Sequence, residues 1–96
     1  MSAGTVGPVI QSGEVARAVV AAVEGDNAGR AVNVVDRGSY VRIEVEGECV
    51  ITRASVEREL GRPFKLHELE VNMPSFAGRI DTSTEQIRFY LGERHG

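Results

Sequence analysis

A chain of 96 residues with 11 basic and 14 acidic side chains, net charge −3, is expected to form one domain spanning residues 1–96, with 1–5 as a loose tail. Its charges are interspersed, which excludes nucleic-acid binding by phosphate neutralisation, because that needs a concentrated basic surface. A chain of this size should fold to roughly 5,400 Å² of surface and bury about two thirds of what it exposes unfolded, enough for one modest core without staples.

Val6–Ile10 predicts a short strand, held to a sheet edge by Pro8. Ser12 is the expected N-cap of a helix carrying Glu14 in its first turn. Val15, Ala18, Val19, Ala22 and Val23 then fall on one helical stripe, and Gly25 is the expected stop. Ala31–Asp36 is β-branched and predicts a strand, turned at Arg37-Gly38-Ser39. In Tyr40–Glu46, Val41, Ile43 and Val45 alternate with Arg42, Glu44 and Glu46, the pattern of a strand with one dry and one wet face. Gly47 should turn it into a hairpin partner, Glu48–Thr52.

Thr52 predicts the cap of a helix over Arg53–Leu60, stopped by Gly61 and kept from resuming by Pro63. The remaining charges of Arg53–Glu59 should form its solvated face. Leu66 and Leu69 suggest a further helical turn; Val71–Arg79 reads as irregular, broken by Pro74 and Gly78. Arg79–Asp81 and Gln86–Leu91 can pair as a hairpin across Thr82–Glu85. The order βαβββ then ααββ, with three helices and mostly antiparallel sheets, predicts a compact two-layer α/β sandwich.

The chain is poor in reactive constellations. Cys49 is the only cysteine, which excludes an internal disulfide and fits a reducing compartment. It lies mid-strand with no adjacent base, so a small buried hydrophobe is the expected role. His67, His95 and scattered carboxylates do not make a zinc motif or paired Glu-x-x-His sequences. Ser75 lacks the G-x-S-x-G context of a nucleophile elbow, and the glycines are dispersed over separate turns rather than grouped around a phosphate. The N-terminus has neither the basic region nor the apolar run of a secretory signal, and no stretch approaches membrane-spanning length; a cytoplasmic protein is expected.

Between Leu60 and Tyr90, Gly61, Pro63, Phe64, Met73, Pro74, Phe76 and Gly78 instead shape a surface. Five fragments stand in a characteristic order: V-G-P-V-I at 6–10, D-R-x-x-Y-V-R-I at 36–43, L-G-R-P-F at 60–64, E-L-E-V-N-x-x-S-F-A-G at 68–78 and Q-I-R-F-Y at 86–90. In that order and spacing the chain resembles the effector (coupling) proteins of soluble diiron monooxygenases, most nearly those of toluene and isoprene monooxygenases. The resemblance implies a regulatory α/β protein, not an enzyme and without a cofactor, that docks on a diiron hydroxylase and tunes O₂ activation, electron transfer and substrate access. It also implies a Rieske ferredoxin and an NADH-dependent reductase in the same system. Asn72, Met73, Ser75, Phe76 and Arg79 are the first candidates for partner contact, as polar, Met and aromatic groups on an irregular stretch. Tyr40 and Arg42, on the wet face of the alternating strand, come second. Two other readings stay open at this point: a generic adaptor domain, or a small enzyme using His67 or Cys49.

Overall fold

Residues 4–92 are described in the computed structural model of the chain. They run β1 (Thr5–Gln11), α1 (Glu14–Asp26), β2 (Val32–Asp36), β3 (Tyr40–Glu46), β4 (Glu48–Thr52), α2 (Arg53–Leu60), α3 (Leu66–Val71), β5 (Ser75–Ala77), β6 (Arg79–Thr82) and β7 (Gln86–Tyr90). The predicted α/β class holds, with three helices and two antiparallel sheets, one ordered β2-β3-β1-β5 and the other β4-β7-β6. The solvent-accessible surface is 5452 Å², close to the value expected from chain length alone.

Hydrophobic alternation sets the inner faces. Val41, Ile43 and Val45 of β3 and Val6 and Ile10 of β1 are buried, as are Cys49 and Ile51 of β4 and Ile87 and Phe89 of β7. Strand β1 touches β4 and β7 and β3 touches β4, while α1 lies against β4, β2 and α2. Ala16, Ala18 and Ala22 are buried on α1 beside Val19 and Val23, their small side chains allowing the helix to sit close to its neighbours. Val56, Phe64, Leu66 and Leu69 close the core from the α2–α3 side.

Several expectations are corrected. Thr5 belongs to β1, and residues 1–3 lie outside the described segment. β1 is not an edge strand: it sits between β3 and β5. Pro8 is accommodated because the β1–β3 register is made at Thr5–Val6 and Val9–Gln11 and skips Gly7 and Pro8. A side chain at Gly7 would lie 2.2 Å from the Ile43 carbonyl oxygen, so the two backbones approach there as only glycine permits. Gly13, not Ser12, is the N-cap of α1, with no side-chain cap hydrogen bond. Gly25 lies inside the helix, which ends one residue later. The stretch read as irregular contains the three-residue strand β5, which pairs with β1.

The end of α1, beyond the expected stop at Gly25, is a junction. The buried Asn27 side chain replaces a neighbouring strand along β4: Nδ2 donates to Val50 O (2.8 Å), and Val50 N donates to Oδ1 (2.9 Å). Asp26 Oδ2 accepts from Thr52 N (2.9 Å), and its Oδ1 accepts from Ser55 Oγ (2.6 Å). Thr52 is the N-cap of α2 as expected, its Oγ1 accepting from Ser55 N, and Gly61 ends that helix in the left-handed conformation. Asp26 and Asn27 thereby fasten α1 to both β4 and α2.

The charged face of α2 carries more contacts than a solvated surface would. Arg53 donates from its backbone N to Glu85 O (2.8 Å) and pairs its guanidinium with Glu85 and Glu57, both at 2.9 Å, latching the β6–β7 turn to the helix. Glu57 also accepts from Phe64 N (2.9 Å). That backbone donor, followed by Arg53, holds the Glu57 carboxyl below its ordinary range. These pairs are partly solvated, so their geometry orients the turn more than it stabilises the fold.

β4 does not form a hairpin with β3, because the chain changes sheet at Gly47. Helices α2 and α3 return it to the first sheet at β5, and it crosses to the second again through Gly78, the single residue between β5 and β6. Both glycines have positive φ, 81° and 95°. A Cβ at Gly47 would meet only the tip of Arg30, whereas one at Gly78 would lie 2.6 Å from Val6 Cγ1 and 2.8 Å from Tyr90 O. Gly47→Ala should therefore cost about 1–2 kcal/mol, from its left-handed backbone alone, and Gly78→Ala distinctly more. Urea midpoints of the two variants check this order, and a Gly78→Ala cost no larger than that of Gly47→Ala contradicts the close packing at the second crossover.

Candidate partner-binding face

Strand register determines which of the singled-out residues meet. Directly opposed residues of an antiparallel pair project to the same face. Arg42 lies opposite Val35 on one side and Val9 on the other, and Val9 lies opposite Ser75. Tyr40 lies opposite Gln11. The wet residues of β3, the odd-numbered residues of β1 and Ser75 of β5 therefore share the outer face of the four-stranded sheet. There they line a shallow depression of about 440 Å³, formed by Val9, Gln11, Ser39, Tyr40, Arg42, Pro74 and Ser75. Val9 is 9% exposed although it belongs to the outer face, so it serves as an apolar floor under a polar rim. The structure thus brings Tyr40 and Arg42 together with Ser75, which sequence separates by more than thirty positions.

The other candidates lie elsewhere. Asn72 closes α3, its Nδ2 donating to Glu68 O (2.8 Å), and its carbonyl accepts from Gln11 N (2.8 Å). It therefore fastens the α3–β5 connection to β1. Met73 packs half-buried against the core. Arg79 is exposed on β6 opposite Tyr90, in the other sheet. Phe76 lies opposite Pro8 on the inner side of β5, yet it is 41% exposed, with its ring 5.6 Å from that of Phe89. It is both an edge of the core and a surface group. Gln11 and Pro74 are rim residues that sequence reasoning did not single out. The pairing of β1 with the very short β5 places them, and three residues carry no readable alternation.

The outer face of the second sheet is a charge network. Glu48 pairs with both Arg30 (3.0 Å) and Arg88, and the Arg88 guanidinium lies 4.2 Å from the centre of the Tyr90 ring. Hydrogen bonding to Glu48 raises the Arg88 pKa further. Cys49 is fully buried beneath this network, and burial, then the nearby Asp26 charge, pushes its thiol up to about 12. Such a thiol is inert as a nucleophile at neutral pH. The His67 side chain is 80% exposed, its Nδ1 3.7 Å from Glu70 on the same helix. No described group of three or more His, Cys, Asp or Glu side chains converges as a metal site, and His95 lies outside the described residues. No described helix is long and apolar enough to cross a membrane.

The described chain is thus an α/β body with an open, shaped sheet face, a buried thiol and a solvated histidine. A family model described as the MmoB/DmpM family matches residues 4–90, and the chain belongs to that family. It is 48% identical over 90 residues to the effector subunit of the alkene monooxygenase system of Xanthobacter autotrophicus strain Py2, covering 94% of this chain and 89% of the relative. It is 32% identical over 77 residues to the phenol 2-monooxygenase stimulatory component DmpM of Pseudomonas sp. strain CF600, covering 80% and 83%. A chain in a structure of the phenol hydroxylase–regulatory protein complex superposes with a TM-score of 0.78 at 26% identity, covering 92% of this chain and 98% of that one. Regulatory protein B of soluble methane monooxygenase shares the fold, with a TM-score of 0.68 at 22% identity over 96% of this chain and 67% of its own. The chain is accordingly a regulatory component of a monooxygenase system and not a catalytic subunit.

The position of Phe76 is directly testable. Phe76→Ala removes a half-exposed ring and its contact with Phe89, so a destabilisation of roughly 1–2 kcal/mol is expected, below the 3–5 typical of a fully buried aromatic. Urea unfolding with the fold checked by circular dichroism measures it, and a loss above 3 kcal/mol would assign the ring to the core alone.

Proposed function

We propose that this protein is the effector of a multicomponent diiron monooxygenase acting in the cytoplasm on an aromatic or alkene hydrocarbon. In this reading residues 1–96 form a single effector domain that docks on the hydroxylase, and a Rieske ferredoxin and an NADH-dependent reductase supply the electrons. The observation that supports it most strongly is the 48% identity, over nearly the whole chain, to an alkene monooxygenase effector subunit. Tyr40, Arg42 and Ser75 are the proposed centre of contact, with Phe76, Met73 and Arg79 on its margins and Asn72 positioning the segment that carries them.

The physics of such a role is constrained. A standard interface takes about 800 Å² per partner, roughly a seventh of this protein's 5452 Å². A protein that contributes no reacting group accelerates its partner only by binding one of the partner's states better than another. The coupling is reciprocal and typically about 1–3 kcal/mol. Shape and hydrogen bonding at the outer sheet face would supply that preference, and the effector's own residues perform no bond-making step.

Reciprocity gives the test. The affinity of this protein for its hydroxylase, measured by titration calorimetry on the oxidised and the chemically reduced forms, with and without hydrocarbon, should differ between at least two states by about 5- to 150-fold. Equal affinity for every state, with no change in the hydroxylase's steady-state rate, would contradict an effector role.

A further inference from the structure

We infer that the depression around Arg42 is an acceptor site for a carboxylate side chain of the hydroxylase, and that this one ion pair registers the effector on its partner; the inference rests on the docking reading above. The charge pattern carries it. Although the chain has a net charge of −3, no carboxylate lines the depression, whose rim offers Arg42, Tyr40, Ser75, Ser39 and Gln11 over the apolar floor of Val9. The rim thus holds one full positive charge, hydroxyls and an amide, a set that favours an anion with further hydrogen-bond capacity.

Arg42 is also unspent. Among the described residues, Arg30, Arg53, Arg62 and Arg88 stand in ion pairs; Arg17, Arg37, Arg42, Arg58 and Arg79 stand in none, and of these Arg42 alone lines the depression. Of the two acids that share the face and strand of Arg42, the nearer, Glu44, is held across the sheet by Asn33, whose Nδ2 donates to Glu44 Oε1 (2.9 Å), and Glu46 lies four residues along, at the strand's end. Asp36, which precedes the turn into β3, is occupied by Gly38 N (2.8 Å). Glu44 and Asp36 are thereby tied to other donors, and neither they nor Glu46 lines the depression beside Arg42. Arg42 is exposed and stands opposite Val9 in the β1–β3 register, so its planar fork is available to a bidentate carboxylate. Position matters too: the site combines residues of β3, β1 and the connection into β5, so an anion seated there fixes where the partner sits on the sheet face. That is the contribution expected of interfacial charge pairs, which set register and encounter rate.

The experiment is a salt series of hydroxylase binding for the wild type and for Arg42→Gln, Arg42→Lys and Arg17→Gln, the last altering an exposed arginine on α1. Arg42→Gln should weaken binding about tenfold at low salt and flatten the dependence of Kd on salt. Arg42→Lys should keep the wild-type salt dependence at an intermediate affinity, since lysine retains the charge and loses the bidentate fork. Arg17→Gln should match the wild type, as should the urea midpoints of all the variants. Arg42→Gln binding with wild-type affinity and salt dependence would overturn the carboxylate site while leaving docking intact. A weakened Arg42→Gln with unchanged salt dependence would also overturn it, because the lost contact would not be ionic. Absence of binding by the wild type would overturn the docking reading and this site with it.

Discussion

The junction at the end of α1 is the constraint on which the arrangement of the two sheets depends. Strand β4 is an edge strand, and an edge left open exposes a row of unpaired backbone groups. Asn27 occupies that edge with its side-chain amide, pairing both the N–H and the C=O of Val50, while its Nδ2 also reaches Val23 O. Asp26 adds the N–H of Thr52 and the hydroxyl of Ser55, so one dipeptide ties the first helix to the second sheet and to the start of the second helix. A buried amide is costly unless its capacity is filled, and among the described residues no buried side-chain polar atom lacks a partner. Together with the shared core and the single-glycine crossovers at Gly47 and Gly78, the junction holds the second sheet over the inner face of the first.

Function follows from that covering. With α1 and the second sheet on one side, the outer face of the four-stranded sheet is left without a helical layer. The face is not flat, because Pro8 and Gly7 interrupt the β1–β3 ladder and the short β5 brings Pro74 and Ser75 to its border. The result is a shaped polar surface with an apolar floor on a body whose thiol is buried and whose described histidine is solvated. A regulatory partner requires surface complementarity to a particular state of another protein, and in the proposed reading this face would supply it.

Much of this architecture is legible in sequence because it rests on local rules. The alternation of Tyr40–Glu46 gives the boundaries of β3 and both of its faces. Thr52 and Gly61 bracket α2 because a side-chain cap and a left-handed stop are encoded within a few residues. Local rules fail where distant groups decide. Ser12 is the better cap by residue type, but Ser12 N is drawn to Ser39 O (3.0 Å), and Gly13 takes the cap position with φ 147°. Gly25 looks like a stop, yet the partners of Asp26 and Asn27, 23 to 29 residues away, extend the helix past it. Pro8 suggests an edge because its missing donor would break a ladder, and here the ladder is already interrupted. The candidate face shows the same limit: Tyr40, Arg42 and Ser75 are readable one at a time, but their meeting over Val9 depends on a β1–β5 register that three residues cannot announce.

The central claim is that this protein regulates catalysis it does not perform. The most direct measurement is product formed per NADH consumed, in a system reconstituted from hydroxylase, ferredoxin and reductase, as this protein is titrated in. The account predicts that the ratio and the rate rise to a plateau with added protein, and that omitting the hydroxylase abolishes product at every concentration. A ratio and rate unchanged across the titration, with binding to the hydroxylase verified, would contradict it.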